Sequence, residues 1–431
     1  MPKLQPIRFL RYATETGDLS TRIAPPYDVL DEQPKRELLE RDPRNIVEVD
    51  LPVTPPKTVG PDEAYEEAGR TLRQWIDEGV LVEADAPAIV AYEQVYTVRG
   101  RTYHRRGLFG GLSVEPFNRP DGGIWRHELT IKSGIGDRYK LTDAAGAQLS
   151  PVFGVFHDPQ GEVVANLAAH FNRPPDLFGT TDHDGVEHRC WFVNDEATLV
   201  ELQRFFEGRD VFIADGHHRY TTALQYHEDH PELPAADRCL FVLVAIEDPG
   251  MIVLPTHRVI HGLTDFSFDA FAAAVEQRDE LTLTLSDHGP SKLGELEAAL
   301  PDAGPHAMGV YDPASGTTAI LAATSDDPLA SIAADKPEVW RKLDLALLHE
   351  LVIERVLKPG FGGEGVAFKY TAELPRMREM ADAEPGRLAV VMQPTTLEEV
   401  SGVSLANEVM PPKSTFFYPK LATGLVVNPL R

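Results

Sequence analysis

The stretch "VFIADGHHRYTTALQYHEDH" at residues 211–230 constrains the fold more than any other part of the chain. Its first four residues are apolar, as expected for a buried strand, and the run stops at Asp215 and Gly216. A helix-forming run that includes Tyr220 and Leu224 follows. The sequence therefore predicts a strand that turns into a helix, with two histidines and an arginine at the turn.

A turn of this kind is suited to bind an anion. The start of a helix leaves backbone N–H groups unpaired and carries partial positive charge, and a glycine lets the backbone approach a ligand closely. The predicted phosphate ligands are Gly216, His217, His218 and Arg219. Asp215 is suited to hold a histidine in one tautomer or to help hold a metal ion. The alternative is that Asp215 only caps the helix and that the two histidines are exposed.

A second group of charged residues lies in "IWRHELTIKSGIGDRYKL" at residues 124–141. Glu128, beside His127, is a candidate for a general base or a metal ligand. Lys132 and Arg138 are candidates for contacts to an anion. We expect this segment to line the same cleft as the strand-to-helix turn, because sites are assembled in space rather than along the chain. The alternative is a charged loop or the solvated face of a helix.

Two segments stiffened by prolines supply further candidates. In the tail, "MPPKSTFFYPKLATG", the candidate phosphate ligands are Lys413, Ser414 and Lys420. Near the N-terminus, "APPYDVL" presents Tyr27 and Asp28 as candidate substrate contacts. A segment held rigid by prolines loses less entropy when it is fixed at a site, so we expect the tail to close the cleft. The alternatives are a docked C-terminal segment and a structural corner.

The charge of the chain limits its partners. Its 431 residues carry a formal net charge of −26, which repels nucleic-acid backbones and anionic membranes. No apolar run approaches the length of a membrane helix, and the N-terminus has no apolar signal core. Cys190 and Cys239 are too few for a disulfide framework. We therefore expect a cytoplasmic protein with neither a nucleic-acid nor a membrane partner.

The order of strand and helix patterns favours an α+β fold with mixed sheets, because strands and helices do not alternate in a strict βαβ rhythm. Two local predictions are specific. The segment 195–208 is expected to be a helix entered at Asn194 or Asp195. Two strands are expected to form a hairpin joined through Arg99 and Gly100.

Taken together, several segments resemble a known family. They are "RYATETGDLSTRIAPPYDV", "AYEQVY", "RHELT", "DRY", "SPVF", "DGHHRYTTAL" and "MPPKSTFFYPKLATG". On these segments the chain is identified as a member of the family called domain of unknown function 1015, over almost its whole length. This resemblance supplies no activity by itself.

A more distant resemblance is to the free-serine kinases, which share a small α+β fold with ParB-type domains and sulfiredoxin. The shared features are a His-Glu pair, a strand and then an Asp-Gly-His-His-Arg stretch, in that order. The resemblance implies a ParB/sulfiredoxin-like nucleotide-binding core at residues 121–262. It implies an added N-terminal α+β region at 1–120 and a C-terminal α+β region at 263–431, whose tail returns to the site. The spacing differs, because the insert before the second motif is long.

This resemblance implies a small-molecule kinase that uses ATP or ADP with Mg²⁺ and phosphorylates free L-serine or a similar hydroxyl metabolite. The implied catalytic residues are Glu128 as base, with His127 and Asp215. One alternative is a metal-dependent phosphoesterase, in which Asp215, His217, His218 and perhaps His257 ligate a metal that activates water. The other is a nucleotide-binding regulator without turnover. The metal ligands, the acceptor and the oligomeric state stay open at this point.

Overall fold

The structure, a computed structural model, describes residues 2–181 and 183–431. The chain divides into two units. The first comprises Met1–Ile252 together with Pro419–Arg431, and the second comprises Val253–Tyr418. The candidate residues of the strand-to-helix turn therefore belong to the first unit.

The first unit is built around a mixed nine-stranded sheet. In chain order the strands of this unit up to residue 245 are β1 (Leu4–Gln5), β2 (Leu10–Tyr12), β3 (Leu81–Glu83), β4 (Ile89–Val98), β5 (Arg101–Ser113), β6 (Ile124–Trp125), β7 (Ala147–Gln148), β8 (Val152–Phe156), β9 (Leu177–Thr181), β10 (Val186–Val193), β11 (Val211–Asp215) and β12 (Arg238–Ala245). Strands β2 and β3 pair with each other outside this sheet, and β7 also lies outside it. The sheet order is β6-β11-β8-β12-β5-β4-β10-β9, with β1 added beside β5. The pairs β6–β11 and β8–β12 are parallel, whereas the other pairs are antiparallel.

The hairpin between β4 and β5 is present where it was predicted. Val98 pairs with Arg101, so the connection consists of two residues. Both of them, Arg99 and Gly100, have positive φ, at 50° and 78°. Two consecutive positive φ angles give the turn a twist that matches the right-handed twist of the flanking strands.

The helices of the first unit flank this sheet. They are α1 (Glu32–Arg41), α2 (Val47–Asp50), α3 (Asp62–Asp77), α4 (Lys132–Ala145), α5 (Glu162–Phe171), α6 (Glu196–Phe206) and α7 (His217–Asp229), with 3₁₀ turns at Tyr27–Val29 and Pro234–Asp237. The prediction for α6 is confirmed, because Asp195 is its N-cap and its carboxylate accepts a hydrogen bond from the Thr198 N–H at 2.9 Å.

The core of this unit fixes the strand-to-helix turn. Val211 and Ile213 of β11 lie in the same apolar cluster as Tyr220 of α7 and Phe241 of β12. The rings of Tyr220 and Phe241 have centroids 5.7 Å apart, and the buried Tyr220 hydroxyl donates to the Glu115 carbonyl at 2.8 Å. Strand and helix are therefore anchored on both sides of the turn.

The second unit is built around an antiparallel six-stranded sheet. The strands from Ile252 onward are β13 (Ile252–Leu254), β14 (His257–His261), β15 (Leu281–Leu285), β16 (Met308–Asp312), β17 (Thr317–Ala323), β18 (Ala367–Thr371), β19 (Leu388–Val391) and β20 (Phe416–Tyr418). The sheet order is β15-β17-β16-β19-β14-β18, and β13 and β20 form a separate ladder.

The second unit has a separate core that includes Leu296, Met377 and Val391. The helices of this unit are α8 (Phe268–Glu276), α9 (Leu293–Ala299), α10 (Glu338–Arg341), α11 (Asp344–Leu347), α12 (Lys358–Phe361), α13 (Leu374–Asp382) and α14 (Leu397–Leu405), with a π-helical segment at Leu348–Leu357 and 3₁₀ turns at Pro290–Lys292, Leu300–Asp302 and Gly363–Gly365.

After Tyr418 the chain is part of the first unit again. There β21 (Asn428–Pro429) pairs antiparallel with β7, and Val427 and Thr423 form bridges with Leu10 and Ala24. Backbone hydrogen bonds therefore fix residues 423–429 to the rest of the first unit.

The two units do not coincide with the three segments that the sequence suggested. Segments 1–120 and 121–262 both lie largely in the first unit, and segment 263–431 is shared between the two units. The α+β class with mixed sheets is confirmed, because helices occur with a mixed sheet in one unit and with an antiparallel sheet in the other. In the part of the chain that the structure describes, no helix is both long enough and apolar enough to cross a membrane.

The N-cap of α6 gives a direct test of the local structure. Asp195→Ala should lower the free energy of unfolding by about 1 kcal/mol, because the Thr198 N–H loses its acceptor. Asp195→Asn keeps an acceptor at the same place and should lose much less. Urea unfolding of the two variants and the parent protein measures the difference. Equal stability of the alanine and asparagine variants would contradict a capping role.

Candidate active site

The strand-to-helix turn has the predicted form. Strand β11 ends at Asp215, Gly216 is the N-cap of α7, and the helix begins at His217. No side chain caps this helix start. Its first backbone N–H groups therefore carry the partial positive charge of the helix without a side-chain acceptor from the N-cap.

Gly216 is required at the turn for two reasons. Its φ of 96° lies in the left-handed region that residues with a side chain rarely adopt. In addition, a Cβ atom at this position would lie 2.9 Å from three atoms of the Arg219 guanidinium. Arg219 thus folds back over the glycine, towards the end of β11.

An ion-pair triad ties the turn to the chain's tail. Asp215 Oδ1 accepts from Lys420 Nζ at 2.7 Å, and its Oδ2 accepts from Arg219 Nη2 at 2.6 Å. Arg219 Nη1 donates to the Pro151 carbonyl. Burial alone would raise the pKa of Asp215, but the charges of Lys420 and Arg219 outweigh it and hold this pKa well below its usual value.

The triad changes the roles that the sequence suggested for its members. Asp215 stays ionised and holds two cations, so it is not placed to accept a proton at neutral pH. Arg219, whose side chain is 8% exposed, has both terminal nitrogens engaged within the protein. Arg219 therefore contributes positive charge beside the turn, whereas the sequence had suggested that its guanidinium N–H groups would donate directly to a phosphate. Lys420 lies at the turn, as expected for the tail.

His127 and Glu128 lie against the start of α7. The His127 and His217 rings meet edge to face, with centroids 4.7 Å apart. Glu128 Oε2 is 3.9 Å from His217 Nδ1, and the Glu128 side chain is half exposed. Burial lowers the pKa of His127 to about 4 and holds the pKa of His217 well below its usual value. Both imidazoles are therefore neutral at pH 7, next to an accessible carboxylate.

A second helix start meets the first at His218. Helix α4 begins at Lys132, and its N-cap, Ile131, offers no side-chain acceptor. The Ile131 backbone N–H donates to His218 Nε2 at 3.0 Å. A Cβ at Gly134 would lie 2.7 Å from His218 Cδ2, so the glycine lets the imidazole pack against the first turn of α4. Lys132 is exposed at this helix start.

The tautomer of His218 follows from this contact. Because Nε2 accepts a hydrogen bond, a neutral His218 carries its proton on Nδ1. Burial and then the nearby charge of Lys57 lower its pKa to about 4. The uncapped starts of α4 and α7 are therefore joined by a neutral imidazole.

Tyr27 and Asp28 also lie near this point. Asp28 Oδ2 is 3.1 Å from Lys57 Nζ, and the charges of both residues act on His218. The other oxygen of Asp28, Oδ1, is buried and has no hydrogen-bond partner among the described residues. Lys57 has a positive φ of 63°, an uncommon backbone conformation for a residue with a side chain. Sequence reasoning missed Lys57, because a single lysine in a loop carries no motif.

Arg138 is not an exposed anion contact. Its side chain is 5% exposed and makes ion pairs with Asp137 at 2.8 Å and Asp50 at 3.3 Å. Its guanidinium carbon lies 3.8 Å from the centroid of the Tyr27 ring. Asp50 also accepts from the Ser150 hydroxyl at 2.7 Å. Burial makes Arg138 part of the network beside Tyr27, and its role as a contact for an anionic ligand stays a prediction.

Lys413, Ser414 and His257 belong to the second unit. The Lys413 carbonyl accepts from Arg258 Nη2 at 2.7 Å, and the Ser414 hydroxyl donates to the Pro411 carbonyl at 2.6 Å. His257 is fully buried, and its Nδ1 accepts from the Met392 N–H at 3.1 Å. A role for Lys413 and Ser414 in nucleotide binding stays a prediction.

Within residues 2–181 and 183–431, no group of three or more His, Cys, Asp or Glu side chains is arranged to hold a metal ion. Cys190 and Cys239 are buried and are not disulfide-bonded.

The chain belongs to the family described as "Protein of unknown function (DUF1015)", whose sequence profile matches residues 4–346. No curated protein matches the sequence.

Solved structures give weak similarities. Free serine kinase in complex with AMP is 13% identical, with 70% of this chain and 92% of that chain covered and a TM-score of 0.33. A conserved hypothetical protein from Pyrococcus furiosus is 13% identical, with coverages of 69% and 88% and a TM-score of 0.32. SbnI with a C-terminal truncation, from Staphylococcus aureus, is 10% identical, with coverages of 71% and 78% and a TM-score of 0.30. At TM-scores this low, these similarities carry no argument about the site of this chain.

The triad can be tested by removing its anion. Asp215→Asn should lower the free energy of unfolding by about 2–4 kcal/mol, because it leaves Lys420 and Arg219 close together without a counter-charge. Lys420→Met should cost less, because Arg219 still pairs with Asp215. Urea unfolding of both variants measures this. A stability of Asp215→Asn equal to that of the parent would contradict the role of the triad.

The buried imidazoles predict a pH dependence. His127 has a folded pKa of about 4, below the usual value of 6.5, so its contribution to stability is complete above pH 6.5 and is lost as the pH falls towards 4. Between pH 7 and pH 5 this loss should be about 2 kcal/mol for His127. His127→Gln should show a correspondingly shallower decline in unfolding free energy over that range. Parallel declines for parent and variant would mean that His127 is protonated in the folded protein.

Proposed function

We propose that the protein is a nucleotide-dependent small-molecule kinase, with ATP or ADP as phosphoryl donor and free L-serine or a similar hydroxyl metabolite as acceptor. The observation that carries the proposal is the meeting of two uncapped helix starts, α4 and α7, at His218. Two helix dipoles that present their positive ends at one point favour a negatively charged ligand there.

The side chains around this point supply further positive charge. Lys57, Lys420 and Arg219 lie close to the turn, and Lys132 is the exposed first residue of α4. In a chain with a net charge of −26, such a concentration of cations supports a site for an anion. The phosphates of a nucleotide match it in charge and in their demand for N–H donors.

Glu128 is our candidate for the base that takes the proton from the acceptor hydroxyl. It is half exposed, so a small metabolite can reach it, and it lies beside the start of α7. The imidazole beside this carboxylate, that of His217 with its Nδ1 at 3.9 Å, is buried and neutral, as is the neighbouring His127, so neither adds charge next to the candidate base. The His-Glu and Asp-Gly-His-His-Arg resemblance supports L-serine as the acceptor.

Mg²⁺ fits this arrangement through Asp28. The ion is usually held by one or two carboxylates together with substrate phosphates, and Asp28 has a buried oxygen without a hydrogen-bond partner. Asp28 would hold the ion while Lys57 pairs with its other oxygen. A bound Mg²⁺ ion would offset the negative charge of the nucleotide phosphates.

The phosphoesterase alternative has less support. Its ligand set required Asp215 and His218, but Asp215 is saturated by two cations, and the Nε2 atom of His218 accepts from Ile131. A nucleotide-binding regulator stays an alternative that turnover measurements separate from a kinase.

Two substitutions separate binding from chemistry. Glu128→Gln should leave nucleotide affinity nearly unchanged and lower acceptor-dependent turnover by roughly a hundredfold or more, the usual scale for loss of a general base. Lys57→Met should weaken nucleotide affinity by about tenfold or more, because a charge-assisted contact is lost. Calorimetric titration with ADP or ATP and Mg²⁺, followed by a turnover assay with L-serine and a panel of hydroxyl metabolites, measures both.

Lys140→Met is the matched control for Lys57→Met. Lys140 also pairs with an aspartate, Asp62, at 2.5 Å, but it lies in α4 two turns beyond the helix start. The Lys140→Met variant should leave nucleotide affinity unchanged.

Nucleotide binding without turnover on any acceptor would favour the regulator, and hydrolysis of a phosphate ester without nucleotide would favour the phosphoesterase. Full activity of Glu128→Gln would remove Glu128 as the base.

A further inference from the structure

Four exposed apolar side chains, which we call the apolar rim, border the proposed anion site. They are Val29, Val59, Leu129 and Ile131, with exposed fractions of 49%, 42%, 60% and 54%. They make up half of the eight large apolar side chains that are exposed within the described residues. Exposed aliphatic side chains that gather around one site usually mark a surface that binds something.

Two members of the rim, Ile131 and Leu129, lie beside the starts of α4 and α7. Ile131 is the N-cap of α4, and its backbone N–H is bonded to His218. Leu129 follows Glu128, whose carboxylate is 3.9 Å from His217. Both side chains therefore project from the segment that joins the candidate base to the second helix start.

The other two members of the rim, Val29 and Val59, lie close in sequence to the Asp28–Lys57 ion pair. Val29 follows Asp28, which is 3.1 Å from Lys57. Val59 lies two residues after Lys57, and a Cβ at Gly136 of α4 would be 3.2 Å from its Cγ2. The rim is thus drawn from three separate segments that meet around the first turns of α4.

We propose that the apolar rim binds the planar base of the nucleotide. This inference rests on the proposed function, which places the phosphates at the starts of α4 and α7. A nucleotide has a charged end and a flat, largely apolar end, and the site has a cationic pole with aliphatic side chains beside it. Covering Leu129 and Ile131 with the faces of a base removes their apolar surface from water and orients the phosphates. A protein partner would not require the adjoining cations.

The test compares a ligand that has a base with one that lacks it. The double variant Leu129→Ala/Ile131→Ala removes most of the apolar surface and leaves α4 without a side-chain cap, so it should bind ADP roughly tenfold more weakly than the parent protein, and inorganic pyrophosphate with unchanged affinity. Both titrations use Mg²⁺ and the full chain. Because both side chains are more than half exposed, the variant should keep the thermal stability of the parent. Val200→Ala, at an exposed valine of α6, is the matched control and should change neither affinity.

Each other outcome overturns the inference in a distinguishable way. Unchanged ADP affinity in the double variant means that the base binds elsewhere. An equal loss for ADP and pyrophosphate means that the rim supports the phosphate site and does not bind the base. A change of oligomeric state with ADP binding intact makes the rim a contact between copies. If the parent protein binds pyrophosphate but not ADP, the anion site stands and the base site falls. If it binds neither, the proposed function itself falls.

Discussion

The ionic contacts of Asp215 hold together the elements from which the site is made. The carboxylate closes strand β11, takes Arg219 from the first turn of α7, and takes Lys420 from the tail. Because Gly216 lets Arg219 fold back over the turn, all three charges meet within hydrogen-bonding distance. The tail is then fixed further by its pairing with β7 and by the bridges to Leu10 and Ala24. The Asp215 carboxylate therefore links the end of β11, the first turn of α7 and Lys420 of the tail.

A second constraint is the burial of the imidazoles. His127, His217 and His218 are packed against helix starts and against one another, and burial is the largest cause that lowers each pKa. Neutral imidazoles in these positions add no positive charge of their own near pH 7. The positive character of the site consequently comes from the helix dipoles, the lysines and Arg219.

Local patterns in the sequence predicted the turn well, because a strand that stops at Asp-Gly before a helix-forming run leaves few alternatives. The proximity of His127 and Glu128 to the turn, and that of Lys420, followed from expecting one shared cleft. Burial could not be predicted in the same way. Arg138 looks like any charged helical residue in sequence, yet Asp50 and Asp137 surround it. Lys57 was missed because only the folded loop brings it to Asp28 and His218.

The central claim is that the converging starts of α4 and α7 bind the phosphates of a nucleotide. A crystal structure of the chain with ADP and Mg²⁺ tests it most directly. We expect phosphate oxygens within hydrogen-bond distance of backbone N–H groups in the first turns of both helices, with Lys57 or Lys420 turned towards them. Well-ordered ADP bound elsewhere on the protein, with both helix starts free of phosphate, would contradict a phosphate site at these helix starts.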